Sequence, residues 1–256
     1  MPGVSRVPGA DASVAARVAY VRPGLALAIA VGGFALTAVL IAWWPSVRLR
    51  WLADTSLIAI ADVVVLSTPM IVAVLVAGRV AASTLLKALG LRQWRALDLA
   101  SGAAIALAAR AAVEIVAPTV PGSSGLFGGG PLGAPVNVLA VIVGVATAVL
   151  ISPVVEELFF RGLLQRSLGD LLGSGGAPAG GVFAGVVVVA ISTLSFVAIH
   201  AIGPILAGTA VPVGTLVGTT AVGLGCGTLV FITGRLGGAL CAHILFNTLG
   251  MALLLA

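Results

Sequence analysis

Charged residues are scarce in this chain: Asp, Glu, Lys and Arg make up 8% of its 256 residues, against about 25% in a typical soluble domain. Hydrophobic residues make up 60%, and the mean hydropathy is +1.24. These values exclude an ordinary water-soluble globular domain. Because backbone groups in lipid must hydrogen-bond within the protein, we predict an all-α, polytopic bundle of transmembrane helices.

Cysteine is also scarce, and the basic residues form no patch. Cys226 and Cys241 lie in apolar helix candidates without CxxC spacing, which excludes a disulfide framework or a zinc knuckle and leaves them as small packing residues. The thirteen Lys and Arg residues are scattered over short connectors without interleaved aromatics, despite the net charge of +5. We therefore expect no nucleic-acid partner. The expected surroundings are a lipid bilayer, and nothing in the sequence indicates an oligomeric state.

Several apolar runs are long enough to cross a bilayer, which takes about 20 residues. We predict about seven spans, with six to eight possible; the fourth is longer than one crossing. Their predicted positions are 24–44, 56–78, 98–117, 136–168, 181–202, 213–233 and 236–256.

The basic residues predict the orientation. Nine basic residues lie on one side of the predicted spans: three in the tail at 1–22, four from Arg79 to Arg95, and Arg166 and Arg235. Two lie on the other side, in the connector at 45–55. The positive-inside rule then places the N-terminus in the cytoplasm. A single Lys among these residues, with heavy use of Ala, Gly and Val, is compatible with a GC-rich bacterial gene and hence a bacterial inner membrane.

Two connectors have patterns of their own. Residues 80–97 have the pattern of an amphipathic interfacial helix, with a plain cytoplasmic connector as the alternative. Residues 118–135 are rich in Gly and Pro and predict a flexible outer loop.

Ionisable residues within the spans are the strongest functional signal. A charge at the centre of a membrane helix costs about 2.5 to 3.5 kcal/mol on insertion scales. The chain holds three glutamates and two histidines, and four of these five residues fall in three short segments of the last four spans. This concentration predicts a single site.

The first segment is EELFFR, residues 156–161. On a helix, Glu157 and Arg161 share a face, while Glu156 points about 100° away from Glu157. Arg161 can then neutralise one carboxylate and leave the other facing a cavity. The alternative is a buried ion pair that only fixes the helix register. Pro153 removes one backbone hydrogen bond just before the acidic pair.

The second and third segments are FVAIH, residues 196–200, and HILFN, residues 243–247. With Glu156, their His200, His243 and Asn247 offer groups that activate water and groups that stabilise an oxyanion. The alternative is hydrogen bonding between helices, above all for Asn247.

The rise of a helix along its axis predicts that these residues lie at different depths in the membrane. Glu156 and His200 lie roughly 25 to 30 Å from the Gly-rich turn at 173–180, at about 1.5 Å per residue. They can therefore face each other. His243 lies only roughly 12 Å beyond Arg235 by the same measure, which predicts a mismatch in depth.

The three segments, in this order, resemble the EExxxR, FxxxH and HxxxN motifs of the CAAX-protease and bacteriocin-processing (CPBP) family. The resemblance covers residues 136–256 and implies a catalytic transmembrane core there. The predicted N-terminal transmembrane helices at 23–135 and the cytoplasmic tail at 1–22 carry none of the motifs. The resemblance implies a polytopic intramembrane endopeptidase without a cofactor, acting on membrane-embedded or lipidated peptides and proteins. A prenylated substrate is not expected in a bacterium.

Carried over to this chain, the resemblance implies that Glu156 and His200 deprotonate the hydrolytic water. It also implies that His243 and Asn247 hold the oxyanion. Glu157 and Arg161 would brace the site, with Phe196 as the first residue of the FxxxH motif.

Three other functions stay open. Glu156, His200 and His243 are a ligand set that suits zinc, although the HExxH motif is absent. Intramembrane acids and histidines also occur in proton-coupled transporters. A non-catalytic immunity or scaffold protein is the third alternative.

Some polar and small residues lie outside these motifs. Arg110 and Glu114 predict a second intramembrane pair, and Asp62 is expected to be a lone acid; we assign all three to packing or a cavity lining. The glycines of the sixth span are expected to allow close helix contact, namely Gly218, Gly223, Gly225 and Gly227.

Overall fold

The computed structural model describes residues 22–51, 55–78, 95–119, 138–173 and 181–255. Four predicted features lie wholly or mostly outside these ranges. They are the N-terminal tail at 1–22, the interfacial segment at 80–97, the outer loop at 118–135 and the Gly-rich turn at 173–180.

The described parts of the chain contain seven long helical segments and no strand, so the predicted all-α bundle is confirmed. The segments are α1 (Pro23–Trp51), α2 (Thr55–Gly78), α3 (Ala96–Val116), α4 (Val138–Leu171), α5 (Gly181–Leu206), α6 (Val213–Thr233) and α7 (Gly237–Leu255).

Six of these helices are long and apolar enough to cross a membrane, and α7 holds a shorter apolar stretch, Gly237–Leu253. As predicted, α4 exceeds one crossing, with 34 residues. Large apolar side chains cover the outside of the bundle; Val182 is 83% exposed and Ile232 is 74% exposed. Such a surface is stable only in lipid, and the chain is an integral membrane protein.

The first hairpin differs from its prediction. Helix α1 does not end at residue 44 but continues through Pro45 to Trp51. Its last turns bring Arg48 into an ion pair with Asp62 of α2, and Trp44 Nε1 donates a hydrogen bond of 2.7 Å to Asp62 Oδ1. The prediction that Asp62 is a lone acid was therefore wrong, because its partners come from a different helix.

Helix α4 is not a uniform α-helix. Two stretches have π-helical turns, Thr147–Ile151 and Glu157–Gln165, separated by a short α-helical stretch, Ser152–Glu156. Its first turns, up to Ile151, bury no residue, whereas nearly all of Glu157–Gln165 is buried. This second stretch packs against α1, α2, α5 and α6. The acidic pair thus begins the most enclosed part of the bundle.

A charged clamp holds α3 against the start of α7. Arg235, in the turn before α7, donates two hydrogen bonds to Asp98 of α3, at 3.1 Å from Nε and 2.6 Å from Nη2. The hydrogen bond to Asp98 raises the pKa of Arg235 above its ordinary value. Since α7 starts two residues later, this clamp fixes the helix that carries His243 and Asn247.

Small residues allow the helices to approach closely. A Cβ atom on Gly223 of α6 would lie 2.6 Å from Thr193 Cγ2, and one on Gly225 would lie 2.5 Å from Ile105 Cγ2. The predicted role in close helix contact is confirmed for Gly223 and Gly225. Both cysteines are free thiols.

A contact between a glycine of α3 and the backbone of α7 leads to a stability prediction. A Cβ on Gly102 of α3 would lie 2.6 Å from Gly238 O and 2.9 Å from Cys241 Cβ. Because backbone has to move, Gly102→Ala should lower the free energy of unfolding by about 1 to 3 kcal/mol. The measurement is thermal unfolding in detergent micelles.

Gly144→Ala is the matched control, since a Cβ there meets nothing within 4 Å. It should leave the melting temperature unchanged or slightly higher, because Ala favours the helix. Equal melting temperatures for the two variants would show that the α3–α7 contact does not limit stability.

Candidate active site

The two adjacent glutamates of α4 lie in different surroundings. Glu157 and Arg161 have no exposed side-chain surface, and Arg161 Nη1 lies 3.0 Å from Glu157 Oε1. Glu156 has 16% of its side chain exposed. The structure therefore encloses one carboxylate with an arginine and leaves the other accessible.

Two contacts with neighbouring helices hold Arg161 in place. Its Nη2 donates a hydrogen bond of 3.3 Å to the carbonyl oxygen of Gly223 on α6. Its Cζ lies 4.7 Å from the centre of the Phe196 ring on α5, a cation–π contact. Glu157 is thus paired with a cation that α5 and α6 fix.

His243 of α7 lies between the two carboxylates. Its Nδ1 is 3.0 Å from Glu157 Oε1, and its Nε2 is 3.7 Å from Glu156 Oε2. Only 5% of its side chain is exposed. The imidazole therefore connects the enclosed carboxylate to the accessible one.

His200 of α5 approaches Glu156 from the other side. Its Nδ1 lies 2.8 Å from the carbonyl oxygen of Phe196, and its Nε2 lies 3.9 Å from Glu156 Oε2. The Phe196 ring makes edge contacts with both imidazoles, at centroid distances of 4.6 Å to His200 and 5.5 Å to His243. Phe196 thus separates and orients the two rings.

Glu156 Oε2 therefore faces two imidazole nitrogens that are slightly too distant for direct hydrogen bonds. Polar groups at such distances are often bridged by water. His200 is 28% exposed and Glu156 16% exposed, so this side of the cluster is the accessible one. The arrangement suits a water molecule held by one carboxylate and two bases.

Asn247 lies one turn beyond His243 and is fixed to α4. Its Nδ2 donates a hydrogen bond of 2.7 Å to the carbonyl oxygen of Ala148, in the first π-helical stretch. Asn247 therefore bridges two helices, and one of its two amide hydrogens is already used.

The expected mismatch in the depth of His243 does not occur. Arg166 of α4 donates a hydrogen bond of 3.0 Å to Gly234 O, in the turn between α6 and α7. Glu156 is ten residues from Arg166 and His243 is nine from Gly234, so they lie about 15 Å and about 14 Å from this level at 1.5 Å per residue. The prediction failed because α4 extends past the α6–α7 turn, which made the Gly-rich turn the wrong reference.

Arg110 and Glu114 form the predicted ion pair on α3, outside this cluster. Arg110 lies over the ring of Phe246, with its Cζ 5.6 Å from the ring centre, while 52% of the Glu114 side chain is exposed. The pair thus packs against the HxxxN helix without joining the glutamates.

Among the described residues, no group of three or more His, Cys, Asp and Glu side chains is placed to hold a metal ion. The imidazoles of His200 and His243 both direct Nε2 at Oε2 of Glu156.

The sequence alone did not identify the groups that orient the motif residues. The Gly223 carbonyl comes from α6, 62 residues from Arg161. Ser192, which donates a hydrogen bond of 3.2 Å to Phe160 O, couples α5 to α4. The glycine pattern of α6 was the available signal, since glycine exposes backbone to a neighbouring helix.

Residues 137–249 match a family model, Rce1-like, described as type II CAAX prenyl endopeptidase Rce1-like. The C-terminal half of the chain carries an Rce1-like region. The match confirms the resemblance to the CPBP family and spans every residue of the three motifs. Neither a curated protein nor a solved structure gives a significant match to the chain.

The enclosed pair of this Rce1-like region leads to a second stability prediction. Arg161→Met would leave Glu157 buried without its cation, which typically costs about 3 to 5 kcal/mol. We expect a correspondingly large loss of unfolding free energy, measured by denaturant titration in detergent micelles.

Arg110→Met removes the arginine of another i,i+4 pair, but leaves a half-exposed carboxylate. Its cost should be smaller, because Glu114 lies two residues before the end of α3, near the membrane surface. If Arg161→Met and Arg110→Met lower the unfolding free energy by the same amount, the enclosure of Glu157 does not increase the cost of losing its partner.

Proposed function

We propose that the chain is an intramembrane endopeptidase that hydrolyses peptide bonds with water activated by Glu156. The observation that carries this proposal is the position of Glu156 Oε2, 3.7 Å from Nε2 of His243 and 3.9 Å from Nε2 of His200. A water at this place touches a base and lies on the accessible side of the cluster. The match to an endopeptidase family supports the same reaction.

The proposed reaction has two steps. Glu156, with His200, takes a proton from water, and the hydroxide adds to the carbonyl carbon of the scissile bond. The resulting oxyanion lies towards α7, where Asn247 has a second amide hydrogen. The carbon–nitrogen bond then breaks, and the amine leaves with a proton, giving a carboxylic acid and an amine.

Three other acids of the described spans argue against a proton-coupled transporter. Asp62, Asp98 and Glu114 each pair with an arginine of their own. A relay requires acids connected through the bilayer, whereas here only Glu156 and Glu157 share a cluster with histidines.

The depth of the cluster limits the substrate. Glu156 lies about 15 Å from the level of Arg166, at 1.5 Å per residue, which is about half of a 30 Å hydrocarbon core. A peptide bond that reaches it must belong to a membrane-embedded or lipidated peptide or protein. We propose a bacterial inner membrane with the N-terminus in the cytoplasm, so that Arg166 and Arg235 also face the cytoplasm.

The test is cleavage of a quenched-fluorescent library of membrane peptides by the purified protein in detergent. Glu156→Gln keeps the shape of the side chain but removes the base, so kcat should fall by roughly 10² to 10⁴-fold. Glu114→Gln, which removes a carboxylate outside the cluster, should cleave like the wild type.

The same assay in the presence of a chelator tests the metal-dependent alternative. Activity that persists in chelator and is lost in Glu156→Gln supports the proposal. Loss in chelator with recovery on adding zinc would contradict the metal-free reaction. A wild type that cleaves no peptide would instead favour an immunity or scaffold protein.

A further inference from the structure

The hydrogen bonds of the two histidines determine which ring nitrogen carries the proton. His243 Nδ1 faces a carboxylate oxygen of Glu157, and His200 Nδ1 faces the carbonyl oxygen of Phe196. A carbonyl oxygen only accepts hydrogen bonds, and so does a carboxylate that is paired with an arginine. Each neutral imidazole therefore carries its hydrogen on Nδ1 and has a lone pair on Nε2.

This assignment changes what His243 can do. Its Nε2, with the lone pair, points at Glu156 Oε2 from 3.7 Å. A neutral His243 in this form cannot donate a hydrogen bond from Nε2 to an oxyanion. It can only receive a proton there, and it becomes a donor after it has done so.

We propose that His243 is the proton shuttle of the reaction, and that Glu157 is the positioning residue that fixes its tautomer and stabilises its charged form. This inference rests on the proposed endopeptidase function. Glu157, held by Arg161, Gly223 and the ring of Phe196, orients the imidazole as the buried carboxylate of a serine protease triad orients its histidine.

The proton path balances. Glu156 takes one proton from water as the hydroxide adds to the carbonyl carbon. That proton passes from Glu156 to His243 Nε2, which forms an imidazolium next to the Glu157 carboxylate. The imidazolium gives the proton to the amide nitrogen as the carbon–nitrogen bond breaks, and Glu156 and His243 return to their starting forms.

The surroundings favour His243 over His200 for this role. The charged groups that face His243 are Glu156 and Glu157, both on α4, and Arg161 lies behind Glu157. His200 has a neutral carbonyl on Nδ1 and is 28% exposed. A buried carboxylate stabilises an imidazolium more strongly than a carbonyl does. The transferred proton is therefore held by His243 of α7.

The test compares two leaving groups on one peptide. The substrates are a library peptide that the wild type cleaves and its thiodepsipeptide analogue, whose scissile amide nitrogen is replaced by sulfur. A thiolate with a pKa of about 8.5 leaves without a proton, whereas an amine needs one. Loss of the shuttle should therefore slow the amide much more than the thioester.

Glu157→Gln is the variant, because the amide keeps the size of the side chain without its charge. We expect kcat on the amide to fall about 100-fold or more while kcat on the thioester falls less than about 10-fold, as expected for loss of proton transfer. KM should change little for either substrate, and Glu114→Gln should match the wild type on both. All rates refer to folded protein, quantified by size-exclusion chromatography.

Equal losses on both substrates would overturn the shuttle and leave Glu157 with a purely structural role. A wild type that cleaves neither substrate would contradict the proposed function itself, and the shuttle with it. The two failures are therefore distinguishable.

A second measurement does not depend on activity or on the folding of Glu157→Gln. The chain has two histidines, so His200→Gln leaves His243 as the single imidazole. Nitrogen-15 NMR of this variant in detergent should show the hydrogen on Nδ1 of His243. A hydrogen on Nε2 in the neutral ring would overturn the proposal.

Discussion

The enclosed ion pair between Glu157 and Arg161 is the interaction on which the cluster depends. Neither side chain has exposed surface, so each is stable in the bundle only because the other is there. The pair also requires three helices in register, since Arg161 reaches the Gly223 carbonyl of α6 and the Phe196 ring of α5. His243 joins from α7 through its contact with Glu157.

This constraint explains why the adjacent glutamates lie in different surroundings. Glu157 lies in the interior and contacts the imidazole of His243. Glu156, one residue earlier, begins the accessible side of the cluster. The second π-helical stretch of α4 starts at this point, and such turns often occur at functional sites. A local change in helix geometry thus coincides with the change from a buried to an accessible carboxylate.

The helical pattern of the chain was largely predictable, because length and apolar composition determine where a membrane helix can form. The grouping of the motif residues could also be anticipated, since charged groups in lipid need partners. Partners on other helices were not predictable, because they depend on packing. Asp62 finds Arg48 only because α1 continues past residue 44, and Asp98 meets Arg235 from 137 residues away. The prediction of the depth of His243 failed for the same reason, because that depth depends on how the helices pack.

The most direct test is a single turnover in water enriched in oxygen-18, followed by mass spectrometry of the product and of the protein. If Glu156 activates water, the label should appear in the new carboxyl group of the product and not in Glu156. Label in the Glu156 carboxylate, with unlabelled product, would show that the glutamate attacks the substrate itself and would contradict the water mechanism.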